Sequence, residues 1–316
     1  MAGGDNQTIK TKARQILPVA FVFLASIIWG ITFVTQKLAG EHMGAFTYNG
    51  VRFALGFISL IPVILIFEKS TPEKTKYTIK AGLAAGVILF IASNLQQFGI
   101  ALNKDPGAAS EAGFITGLYL VFTPILGLAL GRKARPLTWI ASVIAFAGLA
   151  LITVGPEGIS SIKLSDGLLL IGAVFWASHI LCIDHFAHSV DPIRFTAVQF
   201  AVSAILSTAS AFAFETVSIE GIWAGILPVL FGGVFACGLS YTFQILGQRG
   251  VEPSKAAIIF SLEALFAAIS EAVWLRELMS PRKYLGGAII FIGIILSQIV
   301  PKKRKRQNNG RYAGDG

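Results

Sequence analysis

The sequence predicts an all-α integral membrane protein, with ten transmembrane helices arranged as two inverted five-helix repeats. Three observations carry this expectation. Of 316 residues, 54% are hydrophobic and only 14% charged, and the mean hydropathy is +0.70; soluble chains run nearer a quarter charged. Apolar runs able to cross a hydrocarbon core of about 30 Å, roughly 20 helical residues, recur ten times. The chain also matches itself at a shift of 147 residues.

In chain order the runs lie near 17–37, 45–67, 80–102, 108–130 and 136–154, then 166–184, 193–213, 222–246, 254–275 and 282–300. The connections are short and collect the Pro, Gly, Lys and Glu residues, as at 68–76, 104–106, 132–136 and 279–281. The expected organisation is a tail at 1–16, a first repeat at 17–154, a linker at 155–165, a second repeat at 166–300 and a basic tail at 301–316, with no extramembrane domain. The first run follows Lys10, Lys12 and Arg14, but it is too long for the core of a signal peptide and lacks a clear cleavage site. It is expected to remain as a span.

Net charge is +9, and its placement decides what that means. The charges sit in tails and short loops, which leaves no basic face for nucleic acid. With both termini cytoplasmic, 19 Lys and Arg fall inside and 6 outside, so the positive-inside bias predicts that orientation in the cell (inner) membrane. Lys302–Arg306, directly after a span, reads as an anchor on anionic lipid. Cys182 and Cys237 lie in apolar runs and make no disulfide framework.

The shift of 147 pairs Trp29 with Trp176, Phe53 with Phe200, Gln97 with Gln244 and Pro106 with Pro253; after a two-residue deletion, a shift of 145 pairs Pro136 with Pro281 and Gly148 with Gly293. Each half then holds five spans. Because five is odd, the second copy enters the membrane from the opposite side, an arrangement that lets a midplane site face each side in turn.

Ser261–Ser270, Trp274-Leu-Arg-Glu277, Pro281 and Leu285–Ile294 resemble the end of an EamA-type permease domain. Phe114–Pro124 through Gly148 resembles the same region of a first copy, and Trp29-Gly30 the first-span motif. The resemblance covers roughly 17–300 and points to the drug/metabolite transporter superfamily. It implies a ten-helix carrier of small metabolites, with spans one to four of each half around a central cavity and the fifth at the periphery. Two positions depart from the pattern: Ala264 stands where many members have Pro, which implies continuous helix around Glu263, and Arg276 stands where Gly commonly precedes the glutamate.

Ionisable groups inside a span cost roughly 2.5–3.5 kcal/mol each on insertion scales, so each needs a reason. Glu263 lies about 14 Å deep, at nine helical residues from the inner end of its span. It is either a packing residue, a buried partner for Arg52, or a proton or cation site at the depth where carriers bind. Arg52, about 10 Å deep, and Glu111, about 6 Å deep, enter from the outer side and are expected to form a static ion pair, with an outer gate or an anion-binding guanidinium as the alternatives. Glu271 is expected to be a solvated end residue. Trp29 and Trp176 fall near the membrane middle, where they either pack or wall a substrate cavity together with Thr32, Gln97, Tyr119, His179, Tyr241 and Gln244.

His179, Cys182, His185 and His188 recur at steps of three around Asp184, but each step turns a helix back by about 60°, so the set is not expected to hold a metal. The pairs Gly82/Gly86, Gly113/Gly117 and Gly127/Gly131 suit close helix packing in lipid. There is no phosphate-binding loop, and no cofactor is expected. The leading function is a secondary transporter, an exporter of a small organic metabolite working by alternating access. A membrane-embedded enzyme and a channel or scaffold without saturable transport stand as alternatives. Expected partners are a small-molecule metabolite, protons as an optional coupling ion, membrane lipid and, as an option, a second copy of the chain.

Overall fold

The computed structural model describes residues 3–68, 71–131, 136–153 and 162–298, and the described residues are helical with no strand. The basic tail, most of the linker at 155–165 and the loop Arg132–Arg135 lie outside them. Prolines set many of the helix starts: Pro72, Pro136, Pro192, Pro253 and Pro281 each open a helix, a position where the missing N–H costs nothing and φ is already helical.

The first half contains α1 (Gly3–Ala39), α2 (Ala45–Phe67), α3 (Pro72–Leu102), α4 (Ala108–Thr116), α5 (Tyr119–Ala129) and α6 (Pro136–Thr153). The second contains α7 (Leu164–Phe186), α8 (Pro192–Phe214), the short α9 (Ile219–Ala224) and α10 (Ile226–Leu230), a π-helical segment (Phe231–Leu239), and α11 (Ser240–Gln248). It closes with α12 (Pro253–Phe260), α13 (Glu263–Ser270), a π turn (Glu271–Leu275) and α14 (Pro281–Gln298). Seven described stretches are long and apolar enough to cross a membrane: Ile16–Ala39, Ala45–Ile66, Pro72–Leu102, Ala108–Ala129, Leu164–Phe186, Pro192–Phe214 and Ile226–Gln248.

Three differences from the sequence expectation have local causes. α3 starts at Pro72, well before residue 80, because Thr71 caps it by accepting the Lys74 N–H at 3.3 Å; Lys74, Lys76 and Lys80 therefore ride on a helix. The fourth span of the first half breaks at Gly117 and Leu118. The corresponding stretch of the second half breaks at Ser261 and Leu262, so the continuous helix expected around Glu263 from Ala264 is not what forms. Leu262 N–H bonds Ile259 O at 3.1 Å and Ala264 N–H bonds Ser261 O at 3.2 Å, tighter i→i+3 turns that need no proline. α1 presses on this turn through Gly30, where a Cβ would come within 2.7 Å of Glu263 O.

The helices pair as α2 with α8, α3 with α7 and α8, α6 with α14, and α1 with α11 and α13. Gly82 and Gly86 bring α3 onto α8, a built Cβ at each meeting Val198 or Val202 at 2.7 and 2.6 Å, the small-residue packing of helices in lipid. Phe53 and Phe200 pack tilted at 30° across the α2–α8 contact with centroids 5.6 Å apart. The end where α1 finishes, here the far end, carries Lys37, Glu271, Glu277, Glu111, Lys283, Asp105 and Lys163 in ion pairs. The near end carries Lys74 with Asp191 and Arg194 with Glu68. At the far surface the hydrogen bond from Lys163 holds the Asp105 carboxyl below the usual carboxylate range.

Candidate functional site

A central cavity is walled from both halves. α1 contributes Trp29, Thr32, Phe33 and Gln36, α2 Arg52, α3 Gln96 and α5 Tyr119; from the second half come Trp176 and Ile180 of α7, Ala236 and Cys237 of the π segment, Tyr241 and Gln244 of α11, Phe260 of α12 and Glu263 of α13. The positions open to a water-sized sphere total about 40 Å³, room for a few waters. The two indoles are held rigidly. Trp29 Nε1 donates to Ala236 O at 3.0 Å, and Trp176 Nε1 donates to Gln96 Oε1 at 2.7 Å. Trp29 also packs against Tyr241 and Phe260, with centroids 5.0 and 5.2 Å away.

Two opposite charges face this space without pairing. Arg52 is 4% exposed, its guanidinium over the rings of Tyr48 and Phe53 at 5.1 and 4.7 Å, and its Nε has no hydrogen-bond partner among the described residues. Glu263 is 5% exposed in the first turn of α13. Beside it stands the Tyr119 hydroxyl, which makes no hydrogen bond of good geometry among the described residues. Gln36 Nε2 and Gln244 Oε1 are likewise buried and unpartnered. Buried polar atoms in folded proteins nearly always have partners, and four groups without one among the described residues share this cavity wall.

The structure therefore brings Trp29, Thr32, Tyr119, Trp176, Tyr241, Gln244 and Glu263 to one cavity. Gln97 and His179 sit behind the wall: Gln97 Nε2 donates to Gln36 O at 3.0 Å, and His179 Nε2 bonds Gln199 Oε1 at 2.8 Å, its ring edge-on to Trp176 and Tyr241. Cys182 and His185 line a different groove with Leu126 and Phe186. The expected Arg52–Glu111 pair does not form. Glu111 accepts from Lys283 Nζ at 2.6 Å and Asn103 Nδ2 at 3.1 Å; α14 supplies the nearer cation, and Arg52 turns inward to the cavity.

Glu271 is also not a solvated end residue. It is fully buried, accepting the backbone N–H of Ala109 at 3.1 Å and of Ser110 at 2.8 Å, the Ser110 hydroxyl, and Lys37 Nζ at 3.2 Å. The carboxylate thus caps α4, whose own N-cap, Gly107, has no side chain. Glu271→Ala strands two buried N–H groups at about 1–3 kcal/mol each. We expect a loss of about 2–6 kcal/mol, read as a lowered thermal midpoint in detergent.

Reasoning from sequence passed over Gln36 and Gln96 and set Arg52 with Glu111 in an outer ion pair or gate. A signal was present: Gln36 follows Thr32 by one helical turn, and Gln96 adjoins Gln97. At the shift of 147, Trp29 meets Trp176, but Arg52 falls on Gln199 and Glu263 on Thr116. The repeated frame is shared, and the charged chemistry is not.

A model of the EamA-like transporter family matches residues 16–154 and again 163–298. The chain belongs to this family. As an EamA-like protein it is a membrane transporter, in keeping with its apolar helices. An uncharacterized transporter of Archaeoglobus fulgidus is 28% identical over 274 residues, covering 86% of this chain and 83% of the relative. The uncharacterized inner membrane transporter YedA of Escherichia coli K12 is 24% identical, covering 90% and 91%. The threonine/homoserine exporter RhtA of Escherichia coli K12 is 26% identical over 299 residues, covering 91% and 92%. One solved crystal structure shares the fold with a TM-score of 0.68 at 17% identity, covering 89% of this chain and 96% of that one.

Proposed function

We propose that this EamA-like protein is a secondary carrier that exports a small zwitterionic metabolite of the amino-acid type by alternating access. The observation that carries the reading is the central cavity, in which Arg52 and Glu263 are buried and unpaired between two anchored indoles. A guanidinium binds carboxylate, and a buried carboxylate binds ammonium or a proton; a ligand bearing both charges satisfies both walls, while Trp29, Trp176 and Phe260 take its apolar part. The similarity to the threonine/homoserine exporter agrees with this substrate class and with export. Only about 40 Å³ is open to the centres of water-sized spheres, so in this reading the walls part to load a substrate. The test is counterflow in proteoliposomes with tritiated L-threonine, L-homoserine, a nucleobase and a cationic drug. Saturable counterflow of the amino acids is expected; chemical conversion without flux, or non-saturable conduction, refutes the carrier.

The same reading assigns ten crossings in two inverted repeats with cytoplasmic termini. Its support is the 19 to 6 distribution of Lys and Arg and the antiparallel course of α2 and α8, elements that correspond at the shift of 147. A single-cysteine accessibility scan should find the residue 74–80 stretch on the cytoplasmic side and Lys104 outside, and the opposite result ends the topology. Arg52→Gln removes a charge-assisted bond of about 1.5–3 kcal/mol. We expect KM for a carboxylate-bearing substrate to rise at least about tenfold, with the protein still folded.

A further inference from the structure

We propose that α2 and α8 travel through the transport cycle as one rigid body, with Glu68 and Glu215 as the positioning residues that fasten it. The cavity would then open by movement of α1 and the broken spans against a fixed α2/α8 wall. This rests on the carrier reading above.

The geometry is reciprocal. Glu68, at the C-terminus of α2, accepts the N–H groups of Ile193 and Arg194 in the first turn of α8, at 2.8 and 3.1 Å. Glu215, at the C-terminus of α8, accepts those of Phe46 and Thr47 in the first turn of α2, at 2.9 and 2.8 Å, and the Thr47 hydroxyl at 2.8 Å. Each position in one clamp lies 147 residues from its counterpart in the other: 68 and 215, 46 and 193, 47 and 194. Neither helix has a side-chain cap of its own, so each carboxylate satisfies two orphan donors and meets the positive end of a helix dipole.

Two clamps at opposite ends of an antiparallel pair forbid the motions that one clamp permits. Sliding along the axis stretches both, and opening either end breaks one. The contrast is with α4 and the π turn after α13, where Glu271 and, just beyond the turn, Glu277, which accepts the Gly107 N–H at 3.2 Å, both tie at the far end; ties at one end only leave a hinge. The α1 tie, Lys37 to Glu271 and Glu277, joins side chains alone. Of the two, the pair with the part-exposed Glu277 exchanges for water at small cost, whereas Glu271 is buried and stays with α4. Arg52 on α2 and Gln199 on α8 would therefore keep fixed positions while Trp29 and Glu263 move relative to them.

The experiment uses the full chain in proteoliposomes with tritiated L-threonine as probe, carrying Gly50→Cys and Thr208→Cys. A Cβ at Gly50 lies 2.7 Å from Thr208 Oγ1 and 3.4 Å from its Cα, within reach of a disulfide after slight adjustment. Oxidised and reduced forms of the same protein are compared. Bridged protein is expected to retain at least half the reduced rate. A loss of more than tenfold that returns on reduction shows that α2 and α8 must part, and overturns the proposal. Glu215→Gln, whose amide accepts through a single oxygen, should slow counterflow about fivefold, and the bridge should restore the rate; Glu68→Gln repeats the measurement at the other end. A folded Glu variant that the bridge fails to rescue removes the positioning role. No counterflow by the native protein refutes the carrier reading and this inference with it, an outcome distinct from counterflow lost only on bridging.

Discussion

Glu263→Gln is expected to abolish pH-driven accumulation in proteoliposomes, lowering it more than tenfold, while downhill exchange persists. The substitution keeps the volume and hydrogen-bonding reach of the side chain but removes its proton exchange. Glu263 has no cationic partner among the described residues, and the Tyr119 hydroxyl beside it is free to donate to the carboxylate or to a bound molecule. A carboxyl held this way either binds the ammonium of a substrate or takes a proton in its place, which is the minimum needed to exchange one for the other. Under the proposed carrier cycle, a proton would sit on Glu263 when the substrate is absent and leave when it loads. Accumulation driven by a pH gradient is measured against counterflow at equal pH. Undiminished accumulation by Glu263→Gln would show that the residue only packs and that any coupling lies elsewhere.

The second large effect is expected at Gly30. A Cβ there would meet Phe266 Cβ at 2.3 Å and the backbone oxygen of Glu263 at 2.7 Å. Backbone cannot rotate away as a side-chain tip can, so Gly30→Val must push α1 off α13 at the level of Glu263 and Trp29. Overpacking of this kind costs about 1–3 kcal/mol. The larger consequence is functional, because the displaced contact joins the two halves of the cavity wall. We expect counterflow to fall by at least tenfold, accompanied by a lower thermal midpoint in detergent. Normal transport by Gly30→Val would mean that the close approach of α1 to α13 is not part of the working site.

These two residues also show how far sequence reasoning reaches. Glu263 was legible because a carboxylate in an apolar run is costly and few such residues exist, so each one stands out. Trp29 and Trp176 were legible because a rare residue repeated at a fixed interval is unlike the surrounding apolar coincidences. Gln36 and Gln96 were passed over because a buried amide next to other amides carries no such contrast. Ala236 was invisible for another reason: its role lies in a backbone carbonyl, accepting from Trp29, and any residue type supplies one. The helix break before Glu263 was misjudged because proline was taken as the necessary breaker, whereas the observed turn uses i→i+3 bonds under the pressure of Gly30.

Charge partners divide in the same way. By depth along the chain Arg52 and Glu111 looked like neighbours, yet Glu111 pairs with Lys283 from α14 and Arg52 stacks on Tyr48 and Phe53. Distance along a helix axis is readable from residue counts at 1.5 Å each. Rotation about that axis and the identity of the helix alongside are not, since in lipid there is no polar face to orient against. Glu68, Glu215 and Glu271 stand at ends of apolar runs, where solvated loop residues are the rule; only the packed bundle places each beside the uncapped start of another helix.

Hydrophobic length, the cost of intramembrane charge and the spacing of rare residues are properties of the chain alone, and they suffice for a helical membrane protein with a duplicated frame. Which side chains share the cavity, which carboxylates cap which helices and where the backbone bends were decided by the tertiary structure. Those outcomes depend on donors and acceptors separated by tens to hundreds of residues, and a buried polar group takes whichever partner the packing delivers.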